Sequence, residues 1–242
     1  RVRHIIFYVI LEGPPKVDIT WLNNTTVIAI SNYVRDILKS LGVEVAGVIP
    51  HGVREYGYPK VRNLGLMGYI ASYKSRKFPT YGIKAIKMAR IKPMVISERH
   101  NPYKGLFVFN PNYSQLPWSS LKRFYQKISF YLNLSDCEGF GLTPLEAMAF
   151  GNPVITAYYP PISELIPKEL AITVPIQDTW LEFYYGVAGI LHHRYNAKAM
   201  AKAIRRALEM PDSKYSNISK KCIDYVKRHY NISIYEKFLD FM

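Results

Sequence analysis

The residues of this chain best suited to chemistry lie in one run, Ser135-Asp136-Cys137-Glu138-Gly139-Phe140-Gly141-Leu142-Thr143-Pro144-Leu145-Glu146. The apolar stretch before it, Ile128 to Leu134, reads as a buried strand, and Pro144 to Phe150 reads as a helix closed by Gly151. A loop leaving the carboxyl end of a strand is where ligands of open parallel sheets bind. Gly139 and Gly141 let backbone come close to a ligand, and the first amides of the helix have no acceptors within it. With the helix dipole behind them, those amides suit a phosphate or diphosphate. Glu138 and Glu146, with seven residues between them, bracket the loop, and each carboxylate can accept the hydroxyl hydrogen bonds that sugar rings offer. Thr143-Pro144-Leu145-Glu146 also fits a capping box, with Glu146 reaching back to a Thr143 cap. That alternative leaves Glu138, Gly139 and Gly141 without a purpose.

From Glu138 to Val154 the pattern E-G-F-G-L-x-x-x-E-A-M-A-x-G-x-P-V resembles, at every specified position, the C-terminal domain of retaining GT-B glycosyltransferases of family 4, relatives of the glycogen and sucrose synthases. The resemblance implies a nucleoside-diphosphate sugar as donor, such as a UDP- or GDP-hexose. It puts Glu138 at the donor sugar as the catalytic-site acid and gives Glu146 the ribose. Gly139, Phe140, Gly141, Leu142 and Thr143 would hold sugar and phosphate. Arg76-Lys77 resembles the family's R-K-G element, whose basic side chains neutralise the diphosphate. This sequence departs from the pattern at Phe78, where Gly is usual, and at Tyr69, where the family often places Arg after the strand glycine. Ile30-Ser31-Asn32-Tyr33 and Ile49-Pro50-His51-Gly52-Val53 look like the family's passage from its first domain to its second. The resemblance runs from about Ile28 to Met210, with Asp178 to Tyr195 reading as an insertion of unassigned role. It implies hexosyl transfer with retention to an acceptor that is a glycan, a lipid or a protein, and it calls for no metal or cofactor.

The elements that must position these residues follow from hydrophobic periodicity. Strands are expected over His4 to Leu11, Thr26 to Ile30, Val45 to Ile49, Leu64 to Ile70, Met94 to Ser97, Leu106 to Phe109, Ile128 to Leu134 and Val154 to Ala157. Helices are expected from Asn32 to Leu41 behind a Ser31 cap, Tyr81 to Arg90, Ser119 to Lys127, Pro144 to Phe150, Ala197 to Met210, Tyr215 to His229 and Ser233 to Phe241. This alternation predicts an α/β, GT-B-like fold: a doubly wound, Rossmann-like parallel sheet with an incomplete N-terminal domain. Residues 1–49 would be the remnant of an acceptor-side domain, 50–228 the nucleotide-sugar domain, and 229–242 a helix packing back toward the N-terminal part.

Composition narrows the partners. Against 18 acidic residues stand 32 Lys and Arg, a formal charge of +14, which asks for an anionic partner without choosing among diphosphate, lipid and nucleic acid. No nucleic-acid motif is present, so specific nucleic-acid binding is not expected. Cys137 and Cys222 are too few for a disulfide framework and lack the spacing of a zinc site. No apolar run approaches the roughly 20 residues of a membrane span, and no stretch resembles a secretory leader, so the expected location is the cytoplasm. The basic face of the Ala197 helix (Lys198, Lys202, Arg205, Arg206) reads most simply as solvated, with anionic lipid at the inner membrane face as its alternative partner. His51, His100, His192 and His193 fit no nucleophile or metal pattern and read as structural or surface residues. Two other functions fit the same features: a sugar-nucleotide-binding module without turnover, and a basic nucleic-acid binder.

Overall fold

The computed structural model describes residues 5–60, 66–72, 76–98, 101–106, 108–110 and 116–242. Lys74, His100 and the expected strand start at Leu64 lie outside them. Two parallel sheets organise the chain. The first is three-stranded, with β1 (Ile6–Val9), β2 (Thr26–Ala29) and β3 (Gly47–Val48) in that spatial order. Helix α1 (Asn32–Ser40) links β2 to β3; the Ser31 hydroxyl accepts the Val34 N–H at 3.1 Å, and Val34 and Leu38 form its buried stripe.

The second sheet has six parallel strands: β4 (Met67–Ile70), β5 (Met94–Ile96), β6 (Val108–Asn110), β7 (Phe130–Asn133), β8 (Val154–Ala157) and β9 (Ala171–Val174). Their spatial order is β6-β5-β4-β7-β8-β9, so the winding starts at β4, runs outward one way to β6, then restarts at β7 and runs the other way. The expected doubly wound α/β architecture is therefore present. Between the strands lie α2 (Thr80–Ala89), α3 (Trp118–Lys127), α4 (Leu142–Ala149) and the single turn α5 (Ile162–Leu165). After the sheet come α6 (Ala197–Leu208) and α7 (Asp212–His229). Helix α6 packs on α2 and α7 packs on α4; right-handed crossovers leaving the reversal point in opposite directions put these pairs on opposite faces. Strands β4, β7 and β8 are buried along their whole length, as central strands covered on both faces must be.

Besides β9, which was not expected, three elements differ from expectation. The insertion is an antiparallel hairpin of β10 (Ile176–Tyr184) and β11 (Ala188–Tyr195), turning at Tyr185 and Gly186, both at positive φ. Nearly all of β10 is exposed, so it carries no alternating pattern to be read. The last expected α-helix is instead a 3-10 helix, Ile232–Phe241. Ile232, Tyr235, Phe238 and Phe241 recur every third residue, the period that lines up on one face of a three-residue turn. Phe238 meets the Tyr8 ring edge-on at 5.3 Å, and Phe241 closes on Gly47, so this segment lies against the small sheet. Finally, α4 begins at Leu142 with Gly141 as its cap, two residues ahead of the Thr143 cap that a capping box requires.

Candidate functional site

The winding reverses between β4 and β7, and adjacent loops leaving the carboxyl ends of such strands open a crevice there. The loop after β4 brings Arg76 and Lys77, and the loop after β7 brings Glu138 through Gly141 and then the start of α4. The structure thus assembles the expected residues from two separate parts of the sequence. Lys77 Nζ lies 2.5 Å from Glu138 Oε1, with side chains 16% and 11% exposed. The backbones are tied as well, since the Asp136 N–H donates to Arg76 O at 3.0 Å.

The β7 loop is fully engaged by its surroundings. Tyr195 donates its hydroxyl to Leu134 O, Tyr159 to Ser135 O, and the His193 N–H donates to Asp136 O. The Cys137 thiol donates to Glu12 O at 3.3 Å, and burial pushes its pKa up, keeping it a thiol. A Cβ on Gly139 would sit 2.7 Å from Ile10 Cγ2, so this glycine permits close packing of the loop on the chain that follows β1. Gly141 has φ +100°, a conformation that costs side-chain-bearing residues about 1–2 kcal/mol. It opens α4 early. Intrahelical bonding begins with the Leu145 N–H to Gly141 O, and Pro144 has no N–H. Among the described residues, the amides of Leu142 and Thr143 have no protein acceptor, which is the arrangement an anion requires.

The capping-box alternative is not realised. The Thr143 hydroxyl accepts from Tyr131 Oη at 2.8 Å, and Glu146 Oε2 accepts from Tyr125 Oη at 2.7 Å. Burial raises the Glu146 pKa, and the Tyr125 hydrogen bond offsets part of that rise. Tyr131 lies near both acids: burial first, and the charges of Glu138 and Glu146 after it, keep its hydroxyl protonated. Leu142 is exposed and Thr143 and Glu146 are partly exposed, whereas Glu138, Gly139, Phe140 and Gly141 are buried.

Arg76 has a partner that the sequence did not suggest. Its Nη2 is 2.7 Å from Glu12 Oε1, with side chains 13% and 27% exposed, so the segment after β1 contributes a carboxylate to the site. Its Nη1 is buried without a hydrogen-bond partner among the described residues. The departures at Tyr69 and Phe78 compensate one another. Phe78 packs edge-on against the Tyr69 ring at 5.4 Å, and Tyr69 Oη donates to Lys77 O at 2.7 Å. This pins the backbone that carries the basic pair. Missed from sequence were Glu12, Tyr125, Tyr131 and Asp136; of these only Glu12, next to Gly13-Pro14-Pro15, stood beside a visible turn signal.

A separate cavity of about 90 Å³ lies between the two sheets, lined in part by Ser31, Asn32, Phe140, Glu164 and Tyr230. It is too small for a nucleotide, since ligand pockets run to roughly 300 Å³ and above. The accessible face of the site is the start of α4 with Thr143 and Glu146. Among the described residues no group of His, Cys, Asp and Glu could hold a metal ion, and no helix is long and apolar enough to cross a membrane.

The class that this arrangement defines is the GT-B fold of glycosyltransferases. Residues 112–229 match the family model described as glycosyl transferases group 1. An uncharacterized glycosyltransferase, 335, of Sulfolobus islandicus rod-shaped virus 1 is 27% identical over 86% of this chain and 60% of its own length. A candidate glycosyltransferase of Acidianus filamentous virus 1, ORF313, is 30% identical over 50% of this chain and 38% of its own. Among solved structures, a variant of S. aureus TarM with fondaparinux, alpha-GlcNAc-glycerol and UDP aligns at a TM-score of 0.75 and 17% identity, over 98% of this chain and 50% of that one. The pneumococcal O-GlcNAc transferase GtfA with UDP and GlcNAc aligns at 0.70 and 13% identity, over 98% and 51%. The chain spans less than two thirds of the length of each of these relatives. The solved structures show that the chain shares the GT-B fold, and the family match and the viral relatives show that it is similar to glycosyl transferases group 1.

Proposed function

We propose that the chain takes a nucleoside-diphosphate hexose at the Glu138–Glu146 loop and transfers the hexosyl group, with retention, to an acceptor. One observation carries this reading: Arg76 and Lys77 on the loop after β4, and Glu138 with the two uncommitted amides opening α4 on the loop after β7, leave adjacent strands where the winding reverses, and Lys77 pairs with Glu138 across them. The amides and the basic pair would take the diphosphate. They act most strongly on a leaving group whose negative charge grows in the transition state. Glu138, held by Lys77, would position the sugar, and Glu146 would accept from the ribose hydroxyls. The solved relatives crystallised with UDP make a uridine donor the first to test. Residues 50–228 would form the donor-binding unit and residues 1–49 the acceptor side.

Thermal-shift measurements with UDP, GDP and their hexose derivatives test the binding step. A ligand at a hundred times its dissociation constant adds about 2.7 kcal/mol of stability. Stabilisation by a nucleoside diphosphate, reduced in Glu146→Gln, is the expected result. No response to any nucleoside diphosphate would remove the donor assignment. With a donor and acceptor in hand, the anomeric proton coupling of the product reads retention directly.

A further inference from the structure

The described residues contain one buried ionisable cluster that donor binding does not use. Asp136 and His192 are 2% and 3% exposed. His192 Nδ1 lies 3.0 Å from Asp136 Oδ1, and its Nε2 lies 3.0 Å from Glu182 Oε2. Each ring nitrogen faces a carboxylate oxygen, and ionised carboxylates only accept, so both contacts together need a ring carrying both protons. Burial works against that charge; the two carboxylates outweigh it and raise the pKa. The Trp180 indole stacks on the ring at 4.6 Å and 5°. The other titratable groups facing this cluster are Tyr81, whose hydroxyl donates to Asp136, His193, whose pKa burial lowers, Arg194, which pairs with Asp178 at 2.6 Å, and Tyr69, Tyr159 and Tyr195, whose hydroxyls burial, with the Asp136 charge adding to it, keeps protonated.

Asp136 is the residue through which the site is held. Two positions before Glu138, it donates its N–H to Arg76 O and accepts the His193 N–H on its own carbonyl at 2.8 Å, while its carboxylate takes Tyr81 and His192. Both donor loops and the β10–β11 hairpin meet there. The hairpin also grips the segment after β1, where the Leu191 N–H donates to Glu12 O at 3.0 Å and the Lys16 N–H donates to Val187 O at 2.8 Å.

We propose that His192 is a positioning residue for the donor site: by bridging Asp136 and Glu182 it fastens the hairpin to the Arg76 and Glu138 loops and holds them in the arrangement that takes a diphosphate. The proposal rests on the donor reading given above. It makes donor affinity depend on pH. When the ring loses a proton, one of its two contacts loses its donor, the Asp136 hub loosens, and affinity falls.

The test is calorimetric titration of the wild type, His192→Gln and Glu182→Gln with UDP-glucose and GDP-mannose from about pH 5.5 to about pH 9, a range in which imidazole titrates and the diester diphosphate does not. The His192 ring resonances are followed in parallel. Wild-type affinity is expected to fall across the pH interval in which the ring signal titrates. Glu182, 48% exposed in its side chain, can be replaced with little risk to folding. Glu182→Gln should move both the ring titration and the affinity profile to lower pH and keep the low-pH affinity. His192→Gln should bind about tenfold more weakly, the scale of cost expected for a small misplacement of a binding group, with a flat profile. Wild-type affinity and wild-type pH profile in both variants would overturn the positioning role and leave donor binding standing. A wild type that binds neither nucleotide sugar at any pH would instead overturn the donor reading, and this proposal with it.

Discussion

The pairing of Arg76 with Glu12 leads to a prediction with opposite signs in two assays. The pair is partly buried, at 13% and 27% exposure. It falls between exposed pairs, worth about 0–1 kcal/mol, and buried ones, whose disruption costs about 3–5 kcal/mol, so losing one partner here should cost about 1–3 kcal/mol. Glu12→Gln removes the negative charge while keeping the shape, and leaves a guanidinium with a buried Nη1 and no ionic partner from Glu12. Urea unfolding without nucleotide should show that loss. A diphosphate that takes the Arg76 guanidinium no longer competes with a carboxylate, so the same free energy returns as affinity. At 1.4 kcal/mol per factor of ten, UDP should bind about fivefold to a hundredfold more tightly to the variant. The gain should shrink as salt is raised. Calorimetric titration of both proteins with UDP gives the comparison. If Glu12→Gln loses stability without gaining affinity, Arg76 does not serve the diphosphate.

Further outcomes can be checked on the same protein. Because burial raises the Glu146 pKa above its ordinary 4.5, the folded state holds this proton more tightly than the unfolded chain does. Stability then falls as pH rises from the ordinary value through the raised one. Glu146→Gln should therefore raise the midpoint of thermal unfolding at pH 7 without ligand while weakening the response to UDP; a lower midpoint would contradict the sign. Gly141→Ala combines φ +100° with a Cβ 2.7 Å from Ile162 Cδ1, and should cost about 2–4 kcal/mol in urea unfolding from strain and overpacking. Lys60 Nζ donates to Tyr125 O, Ile128 O and Asn152 Oδ1. Lys60→Met should cost about 2–3 kcal/mol by stranding buried acceptors, and a loss under 0.5 kcal/mol, the range of neutral surface changes, would show that other donors replace it.

Much of the architecture was legible because its signals are local. The strands of the large sheet are short apolar runs between turn residues, and α1 announces itself through Ser31 and its helical stripe. The site residues were legible as a spacing, Glu138 to Glu146, and as a basic pair. Their partners were not. Nothing in the sequence joins Glu12 to Arg76 or Tyr131 to Thr143, because those contacts arise only once the segment after β1 reaches the loop after β4 and the start of α4 folds back on β7. The start of α4 was misread because Thr143, Pro144 and Glu146 satisfy the local rules for a cap. Gly141 opens the helix first, and the tyrosines from α3 and β7 take the side chains that the cap would have used. The hairpin escaped because β10 is exposed almost throughout, and the burial of β11 comes from long-range contacts with Glu12 and Asp136 that no local pattern announces.

Contacts tie the two sheets to each other in two places. At one edge the Val53 N–H meets Tyr230 O at 2.7 Å, so the outgoing and returning backbones run side by side. At the other edge the hairpin spans from Glu12 and Lys16 to Asp136. A movement that separates the segment after β1 from the loop after β7 would have to release these hairpin contacts. Cooperative exchange of the Leu191 and His193 amides with solvent would report that release, and its rate sets an upper limit on how fast anything can enter or leave by that route.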